Sequence, residues 1–89
     1  MTMKIVKIKD GSNRPRNSWD GRGNLVAVRR CPFTAAWNEG IFHVTRLQFE
    51  MWDNGVSIQN AFPHLNSNDR EFLMTGITPE VWDDIFKVK

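Results

Sequence analysis

The feature that most constrains this chain is the spacing of helix-ending residues in its C-terminal half. Asn54-Gly55, Pro63 and Gly76 interrupt the sequence at intervals of 8 and 13 residues. Glycine is favoured in the left-handed conformation that ends a helix, and proline cannot continue one. Between these breaks, apolar residues recur at helical spacing. The pattern predicts several short helices in residues 45–89 and excludes one long helix.

The predicted helices begin at residues that suit a helix N-terminus. Thr45 and Gln48 have the spacing of a capping box, in which each side chain bonds the other residue's backbone N–H. Thr78-Pro79-Glu80 supplies a capping hydroxyl, a proline at the first helical position and an acidic residue in the first turn. Asp69 and Glu71 fall in the first turn of another predicted helix, where the helix dipole favours negative charge. These acidic residues therefore have a structural reason for their positions.

The N-terminal third has the pattern of β-strands. Short runs rich in β-branched residues occur at residues 3–9, 25–30 and 41–44. The segment between them at residues 10–24 is dense in Gly, Asn, Ser and Pro, which predicts a long basic loop. Residues 38–40, Asn-Glu-Gly, predict a turn. We therefore expect an α+β fold, in which a small antiparallel meander of about three strands packs against three or four short helices.

Length and composition are consistent with one domain. The chain has 89 residues, of which 40% are hydrophobic and 25% charged, so there is room for one modest core. We expect a single domain over residues 1–89, mainly β in 1–44 and helical in 45–89. No apolar run approaches the roughly 20 residues that cross a bilayer, and the N-terminal lysines leave no secretory hydrophobic stretch. A single cysteine can form no internal disulfide. These features favour a cytoplasmic protein without a membrane partner.

The charge is distributed unevenly along the chain. Residues 1–30 contain eight Lys or Arg and two Asp, a net charge of +6. Residues 31–89 contain four Lys or Arg and eight Asp or Glu, a net charge of −4. This asymmetry indicates one surface suited to anions and another suited to basic surfaces.

The basic N-terminal segment is the strongest candidate for partner binding. Arginine with an exposed aromatic ring suits phosphate contact and base stacking, and both residue types are enriched at protein interface hot spots. A protein partner is the preferred interpretation, nucleic acid is the alternative, and a solvated loop with its tryptophan folded back on the sheet would carry no function. The candidate residues are Arg14, Arg16, Trp19, Arg22, Arg29 and Arg30.

The sequence predicts no catalytic, metal or cofactor site. His43 and His64 are the only histidines, and they do not have metal-ligand spacing. Cys31 beside Pro32 is more typical of a small buried thiol than of a nucleophile. Asp83-Asp84 indicates a solvated acidic face, because adjacent helix positions point in different directions. We therefore expect a protein that is not an enzyme and needs no cofactor.

The aromatic residues are numerous for a chain of this size. Trp52, Trp82, Phe62, Phe72 and Phe86 are expected to fill the core among the helices. Any of them that stayed exposed would mark a surface for self-association or for a partner.

A dense motif occupies the C-terminal half of the chain. It is W-x-x-G-x-x-I-Q-x-A-F-P-x-L from Trp52, then R-E-F-L-x-T-G-I-T-P-E-x-W-D-x-I-F from Arg70. This motif resembles small uncharacterised proteins of bacteriophages and of phage-derived bacterial genes. The segment Cys31-Pro32-Phe33-Thr34 resembles the stretch that precedes the helical part of such proteins, so the resemblance covers residues 31–86. The resemblance implies a phage origin and a compact helical unit, and it implies no catalytic residues because the family has no assigned reaction.

These observations together predict a small phage accessory protein that binds a host or phage protein in the host cytoplasm and inhibits or modulates it. Two alternatives remain open. One is nucleic-acid binding through the Arg-rich loop, and the other is a minor virion component that self-assembles as a homo-oligomer.

Overall fold

The protein is an α+β fold, as the sequence predicts. The computed structural model describes residues 4–8 and 14–86. Within these ranges, four strands precede four short helices, one strand more than expected. The elements are β1 (Lys4–Ile8), β2 (Arg16–Trp19), β3 (Leu25–Arg30), β4 (Trp37–Phe42), α1 (Arg46–Asp53), α2 (Ile58–Ala61), α3 (Ser67–Thr75) and α4 (Pro79–Phe86).

The strands form one antiparallel sheet in the order β1-β4-β3-β2. Strands β2, β3 and β4 are a meander, whereas β1 pairs with β4, which places Lys7 opposite Asn38. The expectation that the first strand neighbours residues 25–30 is therefore wrong, because β4 lies between them. The expected loop at 10–24 is also shorter than predicted, because residues 16–19 form β2. Its residues 10–13 lie outside the described part of the chain.

The predicted turn at residues 38–40 is wrong, because these residues lie inside β4. Position 40 has no room for a side chain, which explains the glycine there. A Cβ atom at this position would lie 2.8 Å from the ring of Phe42 and 2.9 Å from the ring of Phe72. Both distances are too short for real carbon contacts. A glycine therefore lets two large aromatic rings pack directly against the backbone of the sheet.

The hydrophobic core lies between one face of the sheet, here called the inner face, and the helices. Side chains alternate along each strand, so alternate residues of β3 and β4 point to this face. The rings of Phe42 and Phe72 stack with their centroids 5.9 Å apart, and Trp52 packs edge-on against Phe62 at 5.5 Å. The buried cluster consists of Leu25, Ala27, Phe42, Val44, Ile58, Ala61, Phe62, Leu65, Phe72 and Leu73.

The predicted helix ends are present. The capping box of α1 is confirmed: the Gln48 N–H donates to Thr45 Oγ1, and the Thr45 N–H donates to Gln48 Oε1, each at 3.0 Å. Asn66 caps α3 by accepting from the Asp69 N–H at 2.9 Å, and Gly76 ends it in the left-handed conformation. Within the described residues, no helix has the length and apolar character to cross a membrane.

The turn between β2 and β3 is held by one carboxylate. Asp20 Oδ1 accepts from the backbone N–H of Arg22 at 2.8 Å and of Asn24 at 2.9 Å. The bond from the Asn24 backbone is the main cause that holds the pKa of Asp20 below its usual 3.8. The ionised form is therefore favoured in the folded protein.

Acidification is expected to weaken this turn. Because the folded-state pKa of Asp20 is lowered, its contribution is complete above its ordinary pKa and is lost as pH falls through the folded-state value. We expect the melting temperature to fall on acidification from pH 6 to about pH 3, and to fall less in Asp20→Asn, which has no charge to lose. Thermal melts across this range test the difference, with Asp53→Asn in α1 as the control. An Asp20→Asn variant with the full wild-type pH dependence would contradict it.

Candidate interaction surfaces

Trp19 packs against helix α1. Its ring lies edge-on to Phe49 with centroids 5.9 Å apart, and the guanidinium of Arg46 lies 5.0 Å from the ring centroid. Trp19 is half-buried as a result. The structure thus matches the arrangement in which this tryptophan folds back on the body of the protein, and the cation–π contact with Arg46 occupies one face of its ring.

Arg29 lies inside the protein and is only 8% exposed. Its Nε donates to the carbonyl of Leu73 at 3.0 Å, and one terminal nitrogen donates to the carbonyls of Arg16 and Val28 at 3.2 and 3.1 Å. The other terminal nitrogen donates to Asn17 Oδ1 at 2.8 Å. Burial lowers the pKa of Arg29 below its usual value. This side chain joins β2 and β3 to α3, so it is not on the surface with the other candidate arginines.

The remaining candidate arginines are exposed and lie in or next to edge strand β2 and its neighbour β3. Arg16 is in the edge strand β2, and Arg14 precedes it. Arg30 points to the outer face, opposite to its neighbour Arg29, because successive strand residues alternate. Arg22 lies in the turn at the far end of β2. We call these four residues the basic edge; the structure spreads them over the length of β2 and does not gather them at one point.

Helix α4 presents a second, acidic surface. Trp82 is 36% exposed and Ile85 is 41% exposed, and none of residues 79–85 is buried. Glu80, Asp83 and Asp84 are exposed on the same helix. We call these five residues the α4 surface. The expectation that Trp82 belongs to the core is therefore wrong, and the side chain of Phe86 lies outside what the structure describes.

The two histidines make hydrogen-bond contacts that connect separate parts of the fold. His64 Nε2 lies 2.8 Å from the carbonyl oxygen of His43, and His43 Nδ1 lies 3.0 Å from Asn24 Oδ1. These contacts tie the start of the helical half to the β2–β3 turn. Among residues 4–8 and 14–86, no group of three or more His, Cys, Asp or Glu side chains could hold a metal ion.

The polar residues that follow His64 have separate local partners. Arg70 donates to the carbonyl of Leu65 through Nε at 3.0 Å and through a terminal nitrogen at 2.6 Å. Glu71 accepts from the hydroxyl of Thr75 at 2.9 Å. Asp69 is buried, and burial raises its pKa above 3.8. The contact of Glu71 lies within helix α3, and the contacts of Arg70 join α3 to the segment before it. These contacts do not converge on a common point.

Cys31 is a buried free thiol. Burial acts to raise its pKa, but hydrogen bonds from the Thr34 side chain and from the backbone N–H groups of Thr34, Phe33 and Thr78 outweigh burial and lower the pKa from 9.0. Because the residue is 0% exposed, no solute reaches the sulfur in this conformation. Its contacts link the end of β3 to the start of α4.

Comparisons of the chain with protein-family models, with curated proteins and with solved structures gave no match. The resemblance of residues 31–86 to small phage proteins therefore stays a hypothesis. The surfaces described above are the basis for a functional proposal.

Proposed function

We propose that this chain is a small non-enzymatic accessory protein, of phage or prophage origin, that binds a host or phage protein through the α4 surface. The observation that carries the proposal is the exposure of Trp82 and Ile85 on a helix that has no buried residue among positions 79–85. Large apolar side chains left at the surface in this way are typical of interaction sites. The phage origin rests on the sequence resemblance alone.

The chemistry of α4 specifies the kind of partner. Trp82 and Ile85 are three residues apart, so they are neighbours on one side of the helix. An apolar pair on a helix suits a hydrophobic groove, which is a recurring mode of helix recognition. Glu80, Asp83 and Asp84 are exposed on the opposite side of the helix, because an α-helix has 3.6 residues per turn. The expected target is therefore a protein with an apolar groove, and the acidic residues of the same helix disfavour negatively charged nucleic acid.

The decisive experiment compares matched apolar pairs on two helices. A tagged chain would be used to recover a partner from host cells, and the purified partner would then be titrated calorimetrically. We expect Trp82→Ala/Ile85→Ala to weaken binding about 30-fold or more, as for hot-spot residues. The control is Leu47→Ala/Met51→Ala, which removes two exposed apolar residues from α1 and should change affinity little. Equal binding by both variants, or loss only in the α1 variant, would contradict the proposal.

The basic edge supports a second candidate, nucleic-acid binding. It contains four exposed arginine residues, and arginine is a residue type that suits phosphate contact. The packing of Trp19 against Phe49 and Arg46 argues against base stacking by this ring. Gel shifts at low salt, with Arg14→Ala/Arg16→Ala/Arg22→Ala as the variant, test this alternative. A shift that the variant abolishes, and that weakens steeply with salt, would favour nucleic acid.

The same variants distinguish self-association from binding to a different protein. Light scattering over a range of concentrations would show an oligomer if the α4 surface binds a second copy of the chain. An oligomer that dissociates on Trp82→Ala/Ile85→Ala would replace the proposed heterologous partner with self-assembly.

A further inference from the structure

The outer face of the sheet carries a group of apolar side chains. Gly40 and Phe42 face the core, so the residues that alternate with them in β4 point to the outer face. Residues directly opposite each other in neighbouring strands share a face, which assigns the residues of β1 and β3 in the same way. We call the apolar residues of the outer face the outer patch; they are Val6, Ile8, Val26, Val28, Trp37 and Ile41.

The outer patch is separate from the hydrophobic core. None of these six described residues belongs to the buried cluster or to the partly buried residues that pack against it. Val28 is buried, Val6 is 41% exposed, and the other four are partly exposed. Apolar side chains exposed side by side in this way are typical of an interaction surface.

The charged residues described on the outer face lie in different halves of the sheet according to their sign. Glu39 is in β4, directly opposite Val6 of β1 and Val28 of β3. Arg30 is in β3, opposite Trp37. The strand order therefore places the acidic residue in the β1–β4 half and the arginine in the β3–β2 half. Within the described part of the chain, Glu39 and Arg30 form no ion pair with each other, so both can pair with another molecule.

A second copy of the chain has the charges that match this face. A twofold axis parallel to the strands brings two outer faces together and sets β4 of one copy against β3 of the other. Trp37 then lies over Arg30 of the second copy. Glu39 lies one residue pair further along the strand, about 7 Å away, which a long arginine side chain can span. Because the axis is twofold, each of these contacts occurs twice.

The other twofold arrangement of two stacked sheets is unfavourable. An axis that crosses the strands at right angles would set β4 against β4 and bring Glu39 close to its own copy. Like charges placed together in an interface cost free energy. The charge pattern of the outer face therefore selects the axis parallel to the strands.

We propose that this chain forms a homodimer in which the outer faces of two sheets pack together. The outer patch supplies the apolar contact, and two ion pairs between Glu39 and Arg30 fix the relative position of the copies. The surface is separate from the α4 surface, because α4 begins against Ile5 and Lys7, which point to the inner face.

The size of the sheet sets the expected affinity. Four strands about 4.8 Å apart and about five residues long cover a plane of roughly 300 Å². A standard interface buries about 800 Å² on each partner, so the dimer should be weak and reversible. We expect a dissociation constant of about 10–100 µM.

Analytical ultracentrifugation of the full chain from about 1 µM to 1 mM tests the proposal. We expect an equilibrium between monomer and dimer. Arg30→Glu and Glu39→Arg each give the face charges of one sign, so each is expected to weaken dimerisation at least tenfold. A chain that stays monomeric over the whole range, or a dimer that neither variant weakens, would overturn the proposal.

Mixing the two charge variants shows whether the ion pairs join different molecules. The acidic face of Arg30→Glu matches the basic face of Glu39→Arg, so an equimolar mixture is expected to recover at least wild-type dimerisation. The control pair is Arg22→Glu and Glu50→Arg, which makes the same charge changes in a turn and in α1. Both control variants should dimerise like the wild type, alone and mixed. A mixture of the outer-face variants that stays monomeric would contradict the proposed arrangement.

Matched apolar positions keep the test valid if a charge variant does not fold. Val6→Lys places a charge in the outer patch at a 41% exposed position, and Met74→Lys places one at a 61% exposed position of α3. We expect Val6→Lys to weaken dimerisation at least tenfold and Met74→Lys to leave it unchanged. A dimer that persists in Val6→Lys but is lost in Trp82→Ala/Ile85→Ala would assign self-association to the α4 surface and refute the proposal.

Discussion

Replacing Arg29 by alanine is expected to lower the free energy of unfolding by about 3–5 kcal/mol. The guanidinium donates to the carbonyls of Leu73, Arg16 and Val28 and to Asn17 Oδ1, all at 2.8–3.2 Å. The alanine variant would leave acceptors in a buried region without this donor and would open a cavity where the side chain lies. Chemical denaturation followed by tryptophan fluorescence measures the loss.

The next residue along the chain is the natural control. Arg30 has the same side chain but is exposed, so Arg30→Ala should change the free energy of unfolding by no more than about 0.5 kcal/mol. Arg29→Lys should recover little of the stability, because one ammonium group cannot reproduce the planar set of donors that reaches acceptors in two strands and a helix. Similar losses for Arg29→Ala and Arg30→Ala would show that the buried network does not stabilise the fold.

Substitution of Gly76 by alanine is expected to cost about 2–4 kcal/mol of unfolding free energy. Gly76 ends α3 with φ of 85°, a conformation that L-residues with a side chain rarely adopt. An added Cβ would also lie 2.6 Å from the backbone oxygen of Arg30. That oxygen belongs to the backbone of β3. Relieving the contact would therefore require β3 or α3 to shift, which costs free energy. The variant therefore suffers both backbone strain and a clash between α3 and the sheet.

Gly55 separates these two effects. It also has a positive φ, 106°, but an added Cβ there would meet nothing within 4 Å. Gly55→Ala should therefore cost only the conformational strain, about 1–2 kcal/mol. The difference between the two variants in equilibrium unfolding measures the contribution of the close approach. A cost at Gly76 that equals the cost at Gly55 would show that the sheet and α3 adjust freely.

The helical half of the fold is predictable from sequence because its signals are local. The hydrogen bonds between Thr45 and Gln48 join residues three apart, and the left-handed end of α3 needs only Gly76. The sheet is less predictable, because strand β2 has the sequence RNSW and no alternation of apolar residues. What makes it a strand is pairing with β3, from Arg16 opposite Val28 to Trp19 opposite Leu25.

The candidate surfaces show the same difference between local signals, which the sequence carries, and the contacts of the folded chain. The sequence identifies the arginines, but only the alternation of β3 separates buried Arg29 from exposed Arg30. The apolar pattern of α4 identifies an amphipathic helix. That pattern is the same whether the apolar side faces the protein's own core or a partner, so the sequence alone does not distinguish a core position from a surface position for Trp82.

The order of strands has a consequence for biosynthesis. Among the strands of the described residues, β1 leaves the ribosome first, yet its only neighbour among them in the sheet is β4, which begins 29 residues after β1 ends. At typical translation rates of about 5–20 residues per second, β1 waits roughly 1.5–6 s before its neighbour begins to emerge. During this interval Ile5 and Val6 have no sheet to join, and the lysines of the same segment keep the nascent chain dispersed.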